Sequence, residues 1–216
     1  MAKLFRDFYD RDTCTVAREL VGKYLVRRLD GQLLVCRITE TEAYIGRCDK
    51  ACHAYQYRRT QRTETLFAAP GTVYLYLIYG MYHCLNLVTE AAGEPAAVLL
   101  RGGHACWNQE LISRLRFGKG TVELSAYQRK NFLNGPGKLC KGLSLTRAEN
   151  GLDATGDILF VCESLDDLGL PPEPPPIPTE IHVGKRIGID YAQEAIDFPW
   201  RFWFTPREEE GEHGLF

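Results

Sequence analysis

Hydrophobic and polar positions along the chain change period several times, and the changes outline its elements. Asp12 or Thr13 can cap a helix that runs through Leu20 and stops at Gly22. Two strand-like runs come next, Tyr24 to Arg28 and Leu33 to Glu40. The Asp30-Gly31 dipeptide between them suits a tight turn at positive φ, so an antiparallel hairpin is predicted. Glu42-Ala43-Tyr44 comes directly after, which places Glu42 at the end of a strand, and residues 46 to 63 read as loop. Pro70-Gly71 opens a second β region in which Val73, Leu75 and Leu77 alternate with Thr72, Tyr74 and Tyr76. Tyr79-Gly80-Met81 turns the chain into a returning strand from His83 to Val88, which leaves the Tyr79 ring near an exposed hairpin tip. Ala96 to Leu100 reads as a buried strand ending at Arg101, and 108 to 117 and 121 to 133 read as helices. Asn134 to Gly137 break the second of these before another helix at Lys138 to Leu145. Final strands are expected at Arg186 to Gly188 and Trp200 to Phe204.

The fold class this predicts is α+β: one compact domain over residues 1–216, with a curved antiparallel sheet, surrounding helices and a protruding β-hairpin. At 216 residues and 45% hydrophobic content the chain can bury a substantial core. Pro171 to Pro178 holds six prolines in eight residues. It reads as a stiff surface loop rather than a domain linker, because the residues beyond it are too few for a second core. The first ten residues already contain Lys3, Arg6 and Asp7 and lack the apolar stretch of a secretion signal. No apolar run approaches the roughly 20 residues that span a bilayer. A soluble, non-secreted protein is expected, cytoplasmic in a bacterium or nuclear in a eukaryote.

Charge distribution changes the picture more than net charge does. The chain carries –2 overall, yet residues 163 to 216 contain 12 acidic and 4 basic side chains, leaving 22 basic against 16 acidic before them. A basic body with an acidic end, 208–216, is compatible with a polyanionic partner. The eight cysteines are scattered and read as reduced thiols. Cys48, Cys52 and His53 form a C-x3-C-H cluster, but no second Cys/His pair at ligand spacing accompanies it, so no metal is assigned. Glu40 and Glu42 alternate on a predicted strand and would share a face, a pair suited to acid–base work or to plain solvent exposure. Tyr74, Tyr76, Tyr79 and Tyr82 crowd one predicted hairpin. Packing accounts for some of them, whereas a ring at the turn has the character of a wedge that unstacks duplex DNA.

The string from Glu40 to Gly46 (ETEAYIG), followed by His53 and by Pro70 to Asn86 (PGTVYLYLIYGMYHCLN), closely resembles the alkyladenine (3-methyladenine) DNA glycosylase family. Agreement extends over Tyr9, Ala17 to Arg27, Val98 to Arg101, Gly135 to Cys140 and Arg186 to Gly188, nearly the whole chain. The resemblance implies that Glu42 is the general base and that Arg101 helps it hold the attacking water. It implies further that Tyr79 intercalates into DNA, that Tyr44 and Tyr76 sandwich the flipped base, that His53 lies at the pocket floor or edge, and that Asn86 limits acceptance of guanine's 2-amino group. Met81, Tyr82, Arg58, Thr60 and Lys138 match DNA-contacting positions or lie near them. The chain departs from the family's common pattern at Thr63, at His83 and at Gln193 to Ile196.

The function so implied is base-excision repair: a monomer that flips alkylated or deaminated purines (3-methyladenine, 7-methylguanine, hypoxanthine, ethenoadenine) from double-stranded DNA and hydrolyses the N-glycosidic bond without lyase chemistry. The resemblance implies no cofactor, and it implies downstream enzymes that process the abasic product. Three rivals stand against it. A zinc deaminase needs H-x-E followed by P-C-x-x-C, which the chain lacks. A glycosylase with lyase activity needs an amine nucleophile, for which Lys138 is the candidate lysine. A non-catalytic nucleic-acid-binding module would share the rings and basic body but would not need Glu42.

Overall fold

A computed structural model describes residues 3–171 and 180–204. The proline-rich segment falls almost wholly, and the acidic end entirely, outside the described residues. Helices α1 (Arg6–Tyr9) and α2 (Thr13–Leu20) lead in; Asp12 caps α2 by accepting a hydrogen bond from the Thr15 N–H. Strands β1 (Tyr24–Leu29) and β2 (Gln32–Ile45) form the predicted hairpin, with Asp30 at φ 47° and Gly31 at φ 78°. The turn twists both strands the same way because both central residues are left-handed. Strands β3 (Val73–Ile78) and β4 (Tyr82–Val88) make the second hairpin, and Tyr79 and Gly80 at its tip have φ of 53° and 69°.

The long strand β5 (Ala96–Trp107) then precedes helices α3 (Gln109–Phe117), α4 (Ala126–Lys130) and α5 (Pro136–Gly142) and strands β6 (Leu159–Cys162), β7 (His182–Gly184) and β8 (Arg201–Trp203). The eight strands among the described residues belong to one antiparallel sheet in the order β3-β4-β5-β2-β1-β6, with β8 on the far part of β2's β1-side edge and β7 beside β8. The main core lies between the sheet and the helices, around Tyr9, Leu20, Leu25, Ile38, Leu85, Leu100, Ile112 and Leu139.

Several sequence expectations need correction. β2 does not end before Glu42: it pairs with β5 as far as Ile45–Ala96, so Glu42 lies inside a 14-residue strand and is fully buried. The alternation across β3 does not separate core from solvent, because Val73, Tyr74 and Leu75 are all buried. Residues 121–133 are not one helix. Glu123 accepts the Gly120 N–H and Ser125 accepts the Gln128 N–H, so two caps in series restart the chain and leave a short 3-10 turn and α4. Residues 186–188 form no strand, since the Ile187 N–H is spent on a carboxylate and Gly188 turns at φ 76°.

Two bulges shape the pairing of β2 with β5 near Glu42. Between Ile38 and Glu40 the partner strand advances by one residue only, and between Glu40 and Thr41 it advances by two, which leaves Thr39 and Arg101 out of register. Bulges of this kind re-aim side chains and increase local twist. Where β2 leaves the sheet, Gly46 crosses another chain segment at close range: its N–H donates to Pro95 O at 2.7 Å, and a Cβ built there would lie 2.6 Å from the same oxygen and 2.9 Å from Ala54 O. Both obstacles are backbone. Gly46→Ala is expected to destabilise the protein by about 1–3 kcal/mol, as overpacking does, measured by urea unfolding; an unchanged midpoint would show that the crossing can open.

Candidate active site

The alternation of β2 sorts its residues between two environments. Thr41 faces the helix layer, where its hydroxyl donates to Ala17 O on α2 at 2.7 Å. Glu40, Glu42 and Tyr44 take the opposite face. There Glu42 is held at both oxygens: Oε1 accepts the Ile187 N–H at 2.8 Å, and Oε2 accepts the Tyr44 hydroxyl at 2.7 Å. Arg101, displaced by its bulge, reaches the same place with Nε 3.4 Å from Glu42 Oε1. Burial pushes the Glu42 carboxyl above the ordinary carboxylate range, and Arg101, Tyr44 and the Ile187 N–H pull against that rise. Burial, followed by the neighbouring Glu42 charge, holds the Tyr44 phenol well above its usual value, so Tyr44 remains a donor.

Arg101 and Tyr44 also line a cavity of about 310 Å³, of a size to take a nucleobase. Aromatic walls come from β3, where Tyr74 and Tyr76 share a face by their i, i+2 spacing, and from His53 in the preceding loop. The His53 and Tyr76 rings meet edge to face at 4.6 Å between centroids. His53 Nδ1 lies 3.1 Å from the Tyr74 hydroxyl and Nε2 lies 3.4 Å from Nη2 of Arg62. A guanidinium only donates, so Nε2 is the acceptor and the ring proton belongs on Nδ1. Burial, aided by the Arg62 charge, lowers the His53 pKa to about 4, which leaves the ring neutral. The buried Asn86 donates both amide hydrogens, to Tyr74 O at 3.1 Å and Cys84 O at 3.3 Å, and is thereby fixed at the cavity wall.

Behind Tyr44 stands a buried ion pair that spacing alone does not reveal. Asp49 and Arg186 are joined by two hydrogen bonds, of 2.5 and 2.8 Å, and Arg186 also donates to Ala43 O and Ala195 O. Its guanidinium covers one face of the Tyr44 ring at 4.7 Å. This anchor carries the loop that presents Ile187, Gly188 and Ile189 to the cavity. The motif around Arg186 marks the segment in the sequence, but its function as the clamp on Glu42 depends on a main-chain N–H, which no residue type signals. Tyr74 likewise stands in the sequence as an aromatic without an assigned part, although its alternation with Tyr76 is visible there.

At the hairpin tip Tyr79 is 83% exposed and also borders the cavity, and Met81 and Tyr82 are exposed beside it. Tyr82 packs on Gly137 of α5, where a Cβ would lie 2.9 Å from its ring. The next residue, Lys138, is half-buried and donates to Asn131 Oδ1 and Asn134 Oδ1, each at 2.8 Å, away from the residues that line the cavity. Arg58 and Thr60 are exposed on the loop before Glu64. Thr63, one of the departures, accepts the Thr60 N–H and donates to Arg58 O, so a hydroxyl holds that loop's shape. His83 is half-buried, paired with Leu77 on β3, and Gln193 to Ile196 lie in a 3-10 turn where Gln193 and Glu194 meet Lys50.

The family model described as Methylpurine-DNA glycosylase (MPG) matches residues 7–208. The chain belongs to this family. Relatives include a protein of Clostridium perfringens (strain SM101), 52% identical over 93% of this chain and 95% of its own, one of Clostridium botulinum (strain Loch Maree), 46% identical over 93% and 95%, and one of Desulfitobacterium hafniense, 44% identical over 94% and 95%. All three carry 3-methyladenine DNA glycosylase in their names. Membership of the methylpurine-DNA glycosylase family places the chain among DNA glycosylases that act in repair of alkylation damage. No helix among the described residues is long and apolar enough to cross a membrane.

The raised proton affinity of Glu42 has a measurable consequence. Its folded pKa lies above the unfolded value, so the unfolded chain gives up the proton more readily, and stability is lost as pH rises from the ordinary carboxylate range through the folded pKa. Glutamine keeps both hydrogen bonds, accepting from Ile187 N–H and donating to Tyr44, while Arg101 retains Glu40. Glu42→Gln is therefore expected to melt a few degrees higher than wild type at pH 7.5, with the two curves converging in acid. A lower melting temperature at neutral pH would mark the carboxylate as a structural support instead.

Proposed function

We propose that the protein excises damaged purines from double-stranded DNA, with Glu42 as general base for hydrolysis of the N-glycosidic bond. The observation that carries this reading is a fully buried carboxylate, directly behind an aromatic cavity the size of a base, held by a main-chain N–H, a tyrosine and an arginine whose residues, Ile187, Tyr44 and Arg101, line that cavity. A carboxylate with a raised pKa is a stronger base than a solvated one, and it can stabilise positive charge growing on the deoxyribose. Water held between Glu42 and Arg101 gives its proton to Glu42 as its oxygen bonds to C1′. The C1′–N9 electron pair leaves with the purine. In a base alkylated at N3 or N7 that pair neutralises the ring's own charge, so no acid is needed.

The other residues serve access and selection. Tyr79 enters the stack in place of the extruded nucleotide, at a cost in unstacking of a few kcal/mol per step that the flipped base recovers between Tyr44 and Tyr76. A neutral His53 at the pocket edge adds no like charge to a cationic purine. Asn86, fixed by its two donated hydrogen bonds, restricts the room for a 2-amino group. Met81, Tyr82, Arg58, Thr60 and Lys138 contact the backbone, and the substrates span alkylated purines, hypoxanthine and ethenoadenine. The protein acts as a cytoplasmic monomer and leaves an abasic site for downstream enzymes.

Single-turnover assays on duplexes with one lesion test this directly. Glu42→Gln is expected to lose roughly 10²–10⁴-fold in rate, the span of general-base catalysis, with DNA binding retained. An active Glu42→Gln would remove the proposed base, and a wild type that binds but releases nothing would favour a plain binding module. Tyr79→Ser is expected to slow excision from a paired duplex by roughly tenfold, about 1.4 kcal/mol of lost stacking, and to spare a single-stranded substrate; equal losses on both would assign Tyr79 to the pocket rather than to the wedge.

A further inference from the structure

Glu40 is the carboxylate that the hydrolysis by Glu42 leaves without a part. It stands two residues before Glu42 on the same face of β2, and it takes the better share of the same arginine. The Arg101 Nε–H donates to Glu40 Oε1 at 3.1 Å, whereas Glu42 Oε1 lies 3.4 Å away, without that hydrogen bond. The same oxygen, Glu40 Oε1, is 3.3 Å from Nε of Arg201 on β8, within ion-pair range but not aligned as a hydrogen bond. Charges thus alternate from Arg201 to Glu40, Arg101 and Glu42, and Arg201 also stands opposite Glu42 in the β2–β8 register. The bulges around Glu40 and Arg101 create this alternation, since in regular register Arg101 would not stand out from β5 at this point.

We propose that Glu40 is a positioning residue that shares Arg101 with Glu42, and so sets how firmly the guanidinium holds the base and how readily the base accepts a proton. This rests on Glu42 being the base. An arginine given wholly to Glu42 would stabilise the carboxylate and weaken it as a proton acceptor; Glu40 withdraws part of that hold and adds like charge nearby. Arg201 limits the withdrawal by neutralising Glu40. The other groups that face Glu42 are Tyr44 on its own strand, the Ile187 N–H and Arg186 from the loop, Cys84 on β4, and Arg201 itself, which stands opposite Glu42 in the β2–β8 register. Apart from Arg201, their hydrogen bonds and ion pairs go elsewhere than Glu40, so a change at residue 40 acts through Arg101 and through space.

Substitutions at Glu40 and at Arg201 predict opposite effects. In Glu40→Gln the base becomes easier to ionise, so the acid limb of the single-turnover rate moves to lower pH while the plateau falls. In Arg201→Met, Glu40 pulls harder on Arg101 and the acid limb moves to higher pH; because Arg201 also stands opposite Glu42 in the β2–β8 register, the same substitution is made in Glu40→Gln, where the part of the shift that passes through Glu40 disappears. The substrate is the cationic N7- or N3-alkylated purine duplex that wild type excises fastest, because its leaving group needs no proton and the acid limb belongs to the base. Normalised to each plateau, the rate at a pH on the wild-type limb is expected to rise roughly three- to tenfold in Glu40→Gln and to fall in Arg201→Met. Melting curves and DNA binding measured alongside identify any variant that merely unfolds. Limbs that coincide with wild type, or that move in the same direction, overturn the role of Glu40. Glu42→Gln at full activity would instead overturn the assignment of Glu42 as the base.

Discussion

A buried carboxylate is costly unless it is paired and hydrogen-bonded, and the arrangement around Glu42 meets that demand with groups from three separate parts of the chain. Tyr44 comes from the same strand, Arg101 from the neighbouring strand through a bulge, and the Ile187 N–H from a loop 145 residues later in sequence. Each satisfies one aspect of the charge, and none removes the cost entirely, since the proton affinity of Glu42 stays raised. The strand, the bulge and the loop must all be in place together for the site to exist.

That requirement explains features otherwise remote from it. The Asp49–Arg186 pair is wholly buried and fastens the loop bearing Ile187 against β2, while the same guanidinium covers a face of Tyr44. Breaking one partner of such a pair strands an unpaired charge, which ties the loop's position to the integrity of the sheet. Gly46 permits the close crossing with Pro95 that returns the chain toward His53. The aromatic wall is then assembled by strand geometry: Tyr74 and Tyr76 stand on one face of β3, and His53 bridges them through an edge-to-face contact and a hydrogen bond.

Much of the element pattern was legible because it depends on local chemistry. The Asp12 cap, the Asp30-Gly31 turn and the Tyr79-Gly80 tip each declare themselves through residue type and the left-handed φ their positions need. Boundaries were less legible where partners decide them. Glu42 reads as a strand end because charge rarely enters a buried strand, but the continued ladder to β5 carries the strand three residues further. Residues 121–133 have helical composition, and two successive side-chain caps divide them, a competition that periodicity does not weigh.

By itself the sequence determined the residue types, their alternation and the long family motif, and these sufficed to single out Glu42, Tyr44, His53, Tyr76, Tyr79, Asn86 and Arg101 as candidates for one site. Tertiary structure alone decided which of them meet and on what terms. The grip of Ile187 on Glu42 is a backbone contact, invisible in any side-chain pattern, and the division of Arg101 between two carboxylates comes from a shift in register between strands. The physical reason is common to both: electrostatic interactions depend on distances of tenths of an ångström between groups far apart in sequence, and only the folded chain sets those distances.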